Sequence, residues 1–235
     1  KHLGVTRICL GAAWREVRDS KQFDDILTMV EEITHLGIEV CCTLGMLKAK
    51  HAKRLKNSGV YAYNHNLDSS EGYYKNFVTT RTYQDRLDTL DTAEQAGLSL
   101  CCGGILGLGE SIVDRLDLLL TLANRQLHPE SVPINQLSPI PGTPLGNNEK
   151  ISFWEVVRVI GIARIVMPKT MIRLSAGRID MSYEQQALCF MAGANSIFSG
   201  EKLLTVANTN PQSDEDMFQL FGIKKRPAFK KGGDQ

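Results

Sequence analysis

Short apolar segments alternate along the chain with longer segments in which apolar residues recur at every third or fourth position. A short apolar run bounded by turn residues is typical of a buried strand, whereas the longer period is typical of a helix with one buried face. The predicted strands are Thr6–Leu10, Glu39–Leu44, Ala62–Leu67, Leu98–Ile105, Ser131–Leu137, Met171–Ser175 and Ser196–Phe198. The predicted helices are Phe23–Leu36, Leu47–Asn57, Thr82–Ala96, Ile112–Arg125, Phe153–Val166 and Tyr183–Met191.

This order of elements favours a parallel sheet, because parallel strands must be joined by crossovers, which are usually helices. A closed (β/α)8 TIM-type barrel has eight strands and about 250 residues, whereas the pattern supplies seven strands in 235 residues. We therefore predict the α/β class, with a barrel whose first βα unit lies upstream of Lys1. The alternative is an open doubly wound sheet, which is disfavoured because no GxGxxG motif follows the first predicted strand.

The balance of charged residues and the lack of long apolar runs argue against nucleic acid and membranes as partners. The chain has 27 basic and 26 acidic residues and a formal net charge of +1. A nucleic-acid-binding face is not expected, because such faces concentrate basic residues. No apolar run reaches the roughly 18 residues that span a membrane, and no signal-peptide pattern follows Lys1. The sequence thus predicts an intracellular globular protein without membrane contact.

Six cysteines occur without a CxxC pair or zinc-finger spacing, so any joint chemistry requires the fold to gather them. Successive side chains of a strand point to opposite faces of the sheet. When the apolar residues of each predicted strand are placed against the helices, the residues that face the interior include Cys9, Cys41, Cys101, Arg7 and Arg173. Cys42 and Cys102 then face the helices, and we assign Cys189 and His65 to the packed core.

Polar side chains near the ends of two predicted strands suggest a binding site for an organic ligand. Asn64, Asn66 and Asp68 share one face, and Asn135 faces inward from another strand. Such groups suit a ligand with hydroxyl, urea or amide groups, although they could instead cap the loops that follow. The glycines of Gly103–Glu110 would let the backbone approach a flat ligand such as adenine, but any tight turn after a strand also favours glycine.

Three thiolates directed from separate strands at one point favour a soft metal ion or an iron–sulfur cluster. A zinc site would need a fourth protein ligand or water, and inward histidines are lacking. A nucleophilic cysteine would need one thiol with a nearby base. A cofactor-free aldolase or isomerase would need an inward base, and the strands offer no inward lysine. From the residues alone, an iron–sulfur site completed by an arginine is the preferred interpretation.

Six segments, in order and at matching spacing, resemble the biotin synthase family of radical S-adenosylmethionine enzymes. They are Cys9–Trp14, Tyr63–Asp68, Gly103–Glu110, Val132–Asn135, Arg173–Arg178 and Phe190–Phe198. The resemblance implies a radical S-adenosylmethionine barrel domain over residues 1–220, truncated at its N-terminus. It leaves 221–235 as a flexible C-terminal tail that is rich in lysine.

The resemblance also implies an activity. The family converts dethiobiotin to biotin, the last step of biotin biosynthesis, and forms homodimers. A reduced 4Fe–4S cluster cleaves S-adenosylmethionine, the resulting adenosyl radical removes hydrogen from dethiobiotin, and a 2Fe–2S cluster supplies the sulfur. The implied partners are dethiobiotin and a reductant such as flavodoxin or ferredoxin. The implied compartment is the cytoplasm, or the mitochondrion if the source is eukaryotic.

Family site residues are carried over position by position. The 2Fe–2S ligands fall on Cys9, Cys41, Cys101 and Arg173, and a further arginine beside that cluster falls on Arg7. Contacts to the S-adenosylmethionine nucleoside fall on Asn66, Asp68 and Ile105. Contacts to dethiobiotin fall on Asn66, Asn135 and Thr205.

Two departures from the family pattern qualify this expectation. The family binds its 4Fe–4S cluster through a CxxxCxxC motif, which occurs nowhere in this sequence. We therefore expect these residues alone to be unable to cleave S-adenosylmethionine. Val206 stands where many relatives have a second threonine near the substrate carboxylate. The alternative function is a catalytically dead remnant that retains only ligand binding or dimerisation.

Overall fold

The computed structural model describes residues 4–203 and 206–229. The strands are β1 (Arg7–Gly11), β2 (Glu39–Thr43), β3 (Ala62–Asn64), β4 (Ser99–Cys101), β5 (Gly104–Leu106), β6 (Ser131–Gln136), β7 (Met171–Leu174), β8 (Ser196–Ile197), β9 (Lys202–Leu203) and β10 (Val206–Ala207). The helices are α1 (Lys21–Thr34), α2 (Ala49–Asn57), α3 (Glu71–Tyr74), α4 (Tyr83–Gln95), α5 (Ile112–Ala123), α6 (Phe153–Val166), α7 (Tyr183–Ala192) and α8 (Pro211–Phe221). A 3₁₀ turn covers Arg178–Asp180.

The chain forms two compact units. Within the described ranges, the first unit consists of residues 4–66, 80–102 and 225–229, and it therefore contains β1 to β4 with α1, α2 and α4. The second unit consists of residues 67–79 and 103–224 and contains the other elements.

The first unit is a parallel sheet in which β1, β2, β3 and β4 pair in chain order. Each connection includes a helix, as parallel pairing requires. The start of α1 is fixed by Ser20, whose hydroxyl accepts a hydrogen bond from the Phe23 amide at 3.2 Å. Thr82 and Asp85 form a reciprocal capping box at the start of α4. These caps place the helices where the polar–apolar pattern predicts them.

The second unit repeats the same arrangement with different strands. Its sheet pairs β5 with β6, β6 with β7 and β7 with β8, all parallel. A short antiparallel pair, β9 with β10, follows. Capping boxes begin α5 at Ser111 and α7 at Ser182. Parallel strands alternating with helices in both units confirm the predicted α/β class.

The structure departs from the predicted elements in several places, and α3, β9 and β10 are among the elements that the prediction lacks. The single strand predicted over Leu98–Ile105 is wrong: it is two strands, β4 and β5, separated at Cys102 and Gly103. Gly103 lies against the chain at Pro133, where a Cβ atom would come within 2.0 Å of the carbonyl oxygen. The prediction also lacks α8, although Asn210 caps it, Pro211 begins it and Gly222 ends it.

Within the part of the chain that the structure describes, no helix has both the length and the apolar character needed to cross a membrane.

Candidate functional site

Three cysteine thiols meet in the first unit. Cys9 on β1 lies directly opposite Cys41 on β2 in the parallel register. The thiols of Cys101, on β4, and of Cys9 both form hydrogen bonds with the Cys41 thiol. Cys41 and Cys101 are almost completely buried, whereas Cys9 is exposed. The fold therefore gathers three thiols that are separated widely in sequence.

The surroundings of these thiols favour the protonated form. Hydrogen bonds with Cys101 and Cys9, followed by burial, raise the pKa of the Cys41 thiol well above its usual value. Neighbouring Cys42 is also buried, and burial raises its pKa to about 12. Cys41 packs in a cluster with Cys101 and Ala62. A metal would therefore have to displace protons from these thiols on binding.

The chemistry of this donor set is that of a soft-metal site. Thiolates bind zinc, copper(I) and iron–sulfur clusters in preference to magnesium or calcium. Across residues 4–203 and 206–229, no group of three or more His, Cys, Asp or Glu side chains is arranged as a ready site for a metal ion. The contacts centred on Cys41 nevertheless bring three sulfur donors together, and these donors fit an iron–sulfur cluster.

A buried ion pair lies at the beginning of the same strands. Arg7, the first residue of β1, pairs with Glu39, the first residue of β2, with 2.7 Å between guanidinium and carboxylate. The Arg7 guanidinium also lies over the Tyr61 ring, 4.9 Å from its centre. Arg7 is thus held two residues before Cys9, on the same face of the strand.

The polar segment after β3 begins in the first unit. The Asn64 amide donates a hydrogen bond to the Thr43 hydroxyl at 3.0 Å. His65 is buried, and its Nε2 atom has no hydrogen-bond partner among the described residues. Burial, with the positive charges of Arg86 and Arg81, lowers the pKa of His65 to about 3. The neutral imidazole belongs to the core, as predicted, and Asn66 beside it is half-buried.

Three of the predicted ligand-binding residues lie together in the second unit. Asp68 adopts a left-handed backbone conformation, with φ of 69°, and its carbonyl oxygen accepts a hydrogen bond from the Ile105 amide at 2.8 Å. Ile105 pairs with Asn135 across β5 and β6. The Asn135 side chain donates to the Gly104 carbonyl at 3.1 Å. These contacts hold the backbone around Ile105 in one conformation.

Arg173 also belongs to the second unit. Its Nε donates a hydrogen bond to the Ser196 hydroxyl at 3.0 Å, and its guanidinium lies 5.0 Å from the centre of the Phe198 ring. Thr205 lies outside the described residues.

The sequence pattern indicates no role for Arg178 or Asp214. Both are buried, and they form an ion pair of 2.7 Å. Arg178 also donates to the Phe198 carbonyl at 2.8 Å, so it fixes the residue whose ring contacts Arg173. Arg178 is the last residue of one of the motifs that carry the family resemblance. Its partner Asp214 lies in α8, and no sequence pattern links the two residues.

Two family models match the chain. The radical S-adenosylmethionine (SAM) superfamily matches residues 2–122, and the Biotin and Thiamin Synthesis associated domain matches residues 133–224.

Curated relatives match almost the whole chain. It is 60% identical to "Biotin synthase" of Chlamydia abortus over 226 residues, which are 96% of this chain and 68% of the relative. Identity is 57% to "Biotin synthase" of Cytophaga hutchinsonii, over 99% of this chain and 69% of the relative. It is 54% to "Biotin synthase, mitochondrial" of Arabidopsis thaliana, over 97% of this chain and 61% of the relative.

Solved structures share the fold at low sequence identity. Methylornithine synthase aligns with a TM-score of 0.76 at 18% identity, over 96% of this chain and 69% of that chain. The FeFe-hydrogenase maturase HydG from Carboxydothermus hydrogenoformans aligns with a TM-score of 0.71 at 20% identity, over 94% of this chain and 56% of that chain. Together with the superfamily match, this likeness confirms the predicted α/β, TIM-barrel-like fold class. The chain belongs to the biotin synthase family of radical S-adenosylmethionine enzymes.

Proposed function

We propose that the thiols of Cys9, Cys41 and Cys101, with the Arg173 guanidinium, hold the 2Fe–2S cluster from which sulfur enters dethiobiotin. The observation that carries the proposal is the meeting of three thiols at Cys41 in a chain of this family. The donor set fits, because iron–sulfur clusters are held by cysteine thiolates whose surroundings tune their potential.

The residues around these thiols contribute burial and charge. Cys41 and Cys101 are buried, so a cluster held by their thiolates would be shielded from bulk water on that side. The thiols must lose their protons when the cluster binds, because cysteine holds such clusters as the thiolate. We assign Arg7, which forms an ion pair with Glu39, to positioning, in keeping with its place beside the cluster in the family.

Nucleoside and substrate contacts follow the family pattern. We propose that Asn66 and Asp68 contact the nucleoside of S-adenosylmethionine and that the Ile105 backbone meets its adenine. The left-handed conformation of Asp68 and the hydrogen bond from Ile105 support this proposal, because both hold the segment rigid in advance of binding. The amides of Asn66 and Asn135 suit the ureido ring of dethiobiotin, and Thr205 is assigned to its carboxylate.

When bound, S-adenosylmethionine and a 4Fe–4S cluster supply the radical that removes hydrogen from unactivated carbon. The sequence contains no CxxxCxxC motif, so we assign no residue here to that cluster. We propose that these 235 residues on their own bind the 2Fe–2S cluster without cleaving S-adenosylmethionine. The alternative, a catalytically dead remnant that retains only ligand binding or dimerisation, predicts that they bind no cluster.

The remaining proposals concern partners and compartment. We propose a homodimer that accepts electrons from a flavodoxin or ferredoxin. Exposed apolar side chains on α6, such as Trp154 and Ile165, are compatible with a protein interface. The proposed compartment is the cytoplasm for a bacterial source and the mitochondrion for a eukaryotic one.

The proposal is tested by anaerobic reconstitution with ferrous iron and sulfide, followed by visible absorption spectroscopy. Cys101→Ala should lose the charge-transfer absorption of the cluster, whereas Cys102→Ala, next in sequence and equally buried, should keep it. The proposal is wrong if the two variants give the same spectrum, or if the folded wild-type chain shows no such absorption.

A further inference from the structure

The described end of the chain contacts the strands that carry the thiols. Arg226 approaches the Glu39 carboxylate at 3.2 Å, and the Phe229 amide donates a hydrogen bond to the same carboxylate at 2.5 Å. Glu39 is completely buried and also pairs with Arg7. One carboxylate on β2 therefore contacts both Arg7 on β1 and a segment 187 to 190 residues further along the chain than Glu39.

Aromatic rings extend this contact toward the thiols. The Phe229 ring packs edge-on against Tyr61, with 5.8 Å between ring centres. Tyr61 in turn packs against the cluster of Cys41, Ala62 and Cys101. Phe229 is thus separated from two of the thiol-bearing residues by a single aromatic side chain.

The segment lies at one defined end of the sheet. Arg7 and Glu39 are the first residues of their strands, and Cys9 and Cys41 follow two residues later. At about 3.3 Å per residue, the thiol-bearing residues lie about 7 Å further along the strands. Barrel enzymes bind substrate at the opposite end, where the strands finish. The contact of residues 226–229 with Glu39 therefore lies on the side of the thiols that faces away from the expected substrate entrance.

The segment contacts the sheet through one buried carboxylate and one aromatic ring. Phe229 has a φ of 59°, a left-handed conformation that costs free energy in a residue other than glycine, and its ring is half exposed. If the segment is released, Glu39 still has its ion pair with Arg7, so the buried carboxylate is not left uncompensated. The segment can therefore leave without unfolding the sheet.

We propose that residues 226–229 form a seal over the strand-start end of the thiol site, and that release of this seal opens a route for small solutes to Cys41 and Cys101. The biological role of this opening, though not the opening itself, rests on the proposed function. A cluster that gives up sulfur must be rebuilt from iron and sulfide, and a second entrance allows this while the substrate end is closed.

The test uses the metal-free 235-residue chain and a thiol-alkylating reagent, with labelled peptides identified by mass spectrometry. In the double variant Arg226→Ala/Phe229→Ala, the reagent should label Cys41 and Cys101 about tenfold faster than in the wild type. This factor is expected for the loss of a charged hydrogen bond. Lys224→Ala, an exposed residue just before the segment, is the matched control and should label at the wild-type rate.

Buried Cys189 reports on global unfolding, because it lies on α7 in the second unit. Faster labelling of Cys41 and Cys101 without faster labelling of Cys189 supports the seal. Equal rates in the double variant and the wild type overturn it, as does labelling of all three cysteines in parallel.

Measuring iron uptake distinguishes failure of the seal proposal from failure of the proposed function. If the seal governs cluster assembly, the double variant should take up ferrous iron and sulfide faster than the wild type and reach the same final content. A wild-type chain that binds no iron would contradict the proposed function, whereas the labelling result would still decide the seal.

Discussion

Cys9 and Cys41 lie opposite each other across β1 and β2, although 31 residues separate them in the sequence. Their pairing follows from the parallel register, which also places Arg7 opposite Glu39 at the strand starts. A thiol pair and a charged pair therefore occupy the same two strands, on one face and two residues apart.

The junction between β4 and β5 should be intolerant of added volume. A Cβ atom at Gly103 would lie 2.0 Å from the Pro133 carbonyl oxygen, so Gly103→Ala must displace backbone. We expect it to lower the free energy of unfolding by about 1–3 kcal/mol or more, measured by urea denaturation. Gly72→Ala is the control, because its Cβ would meet only the Ser70 hydroxyl at 3.9 Å. Similar midpoints for the two variants would contradict the close approach.

The buried pair of Arg178 and Asp214 should contribute far more to stability than an exposed pair. Asp214→Ala leaves a buried guanidinium without its carboxylate, and we expect a loss of about 3–5 kcal/mol. Lys150→Ala removes a pair with Asp180 in which both side chains are more than half exposed, so its effect should stay below about 1 kcal/mol. Thermal denaturation of both variants measures the difference. Equal shifts in Tm would contradict the claim that the buried pair contributes more to stability than the exposed pair.

His65 should make stability depend on pH. Its pKa is about 3 in the folded chain and 6.5 when unperturbed, so below pH 6.5 only the unfolded chain gains a proton. The free energy of unfolding therefore falls as the pH drops from 6.5 toward 3. Between pH 7 and pH 5 the wild type should lose about 2 kcal/mol more than His65→Gln. Parallel pH profiles for the two proteins would show that His65 is not a buried neutral group.

Much of the site follows from strand periodicity. Because side chains alternate and the apolar ones face the helices, the sequence separates Cys41 and Cys101 from Cys42 and Cys102. The structure places Cys41 and Cys101 in one cluster, which agrees with this separation.

Other features depend on topology, which local patterns do not encode. The interior position of Glu39 can be predicted, but its partner Arg226 comes from a segment with no strand or helix period. The partner of Arg178 in α8 is likewise set by how the second unit folds. The division of Leu98–Ile105 into two strands depends on the approach of Pro133 to Gly103, which no neighbour in the sequence reveals. Local patterns thus predict the face of a strand on which a residue lies. Its contacts with residues far away in the sequence can be read only from the structure.

The most direct test of the account is the ratio of iron to inorganic sulfide in the anaerobically reconstituted chain. We expect about two irons and two sulfides per chain for the wild type and for Cys42→Ala, and the loss of both from Cys41→Ala. A single iron without sulfide, or full iron content in Cys41→Ala, would contradict the claim that the three thiols hold a 2Fe–2S cluster.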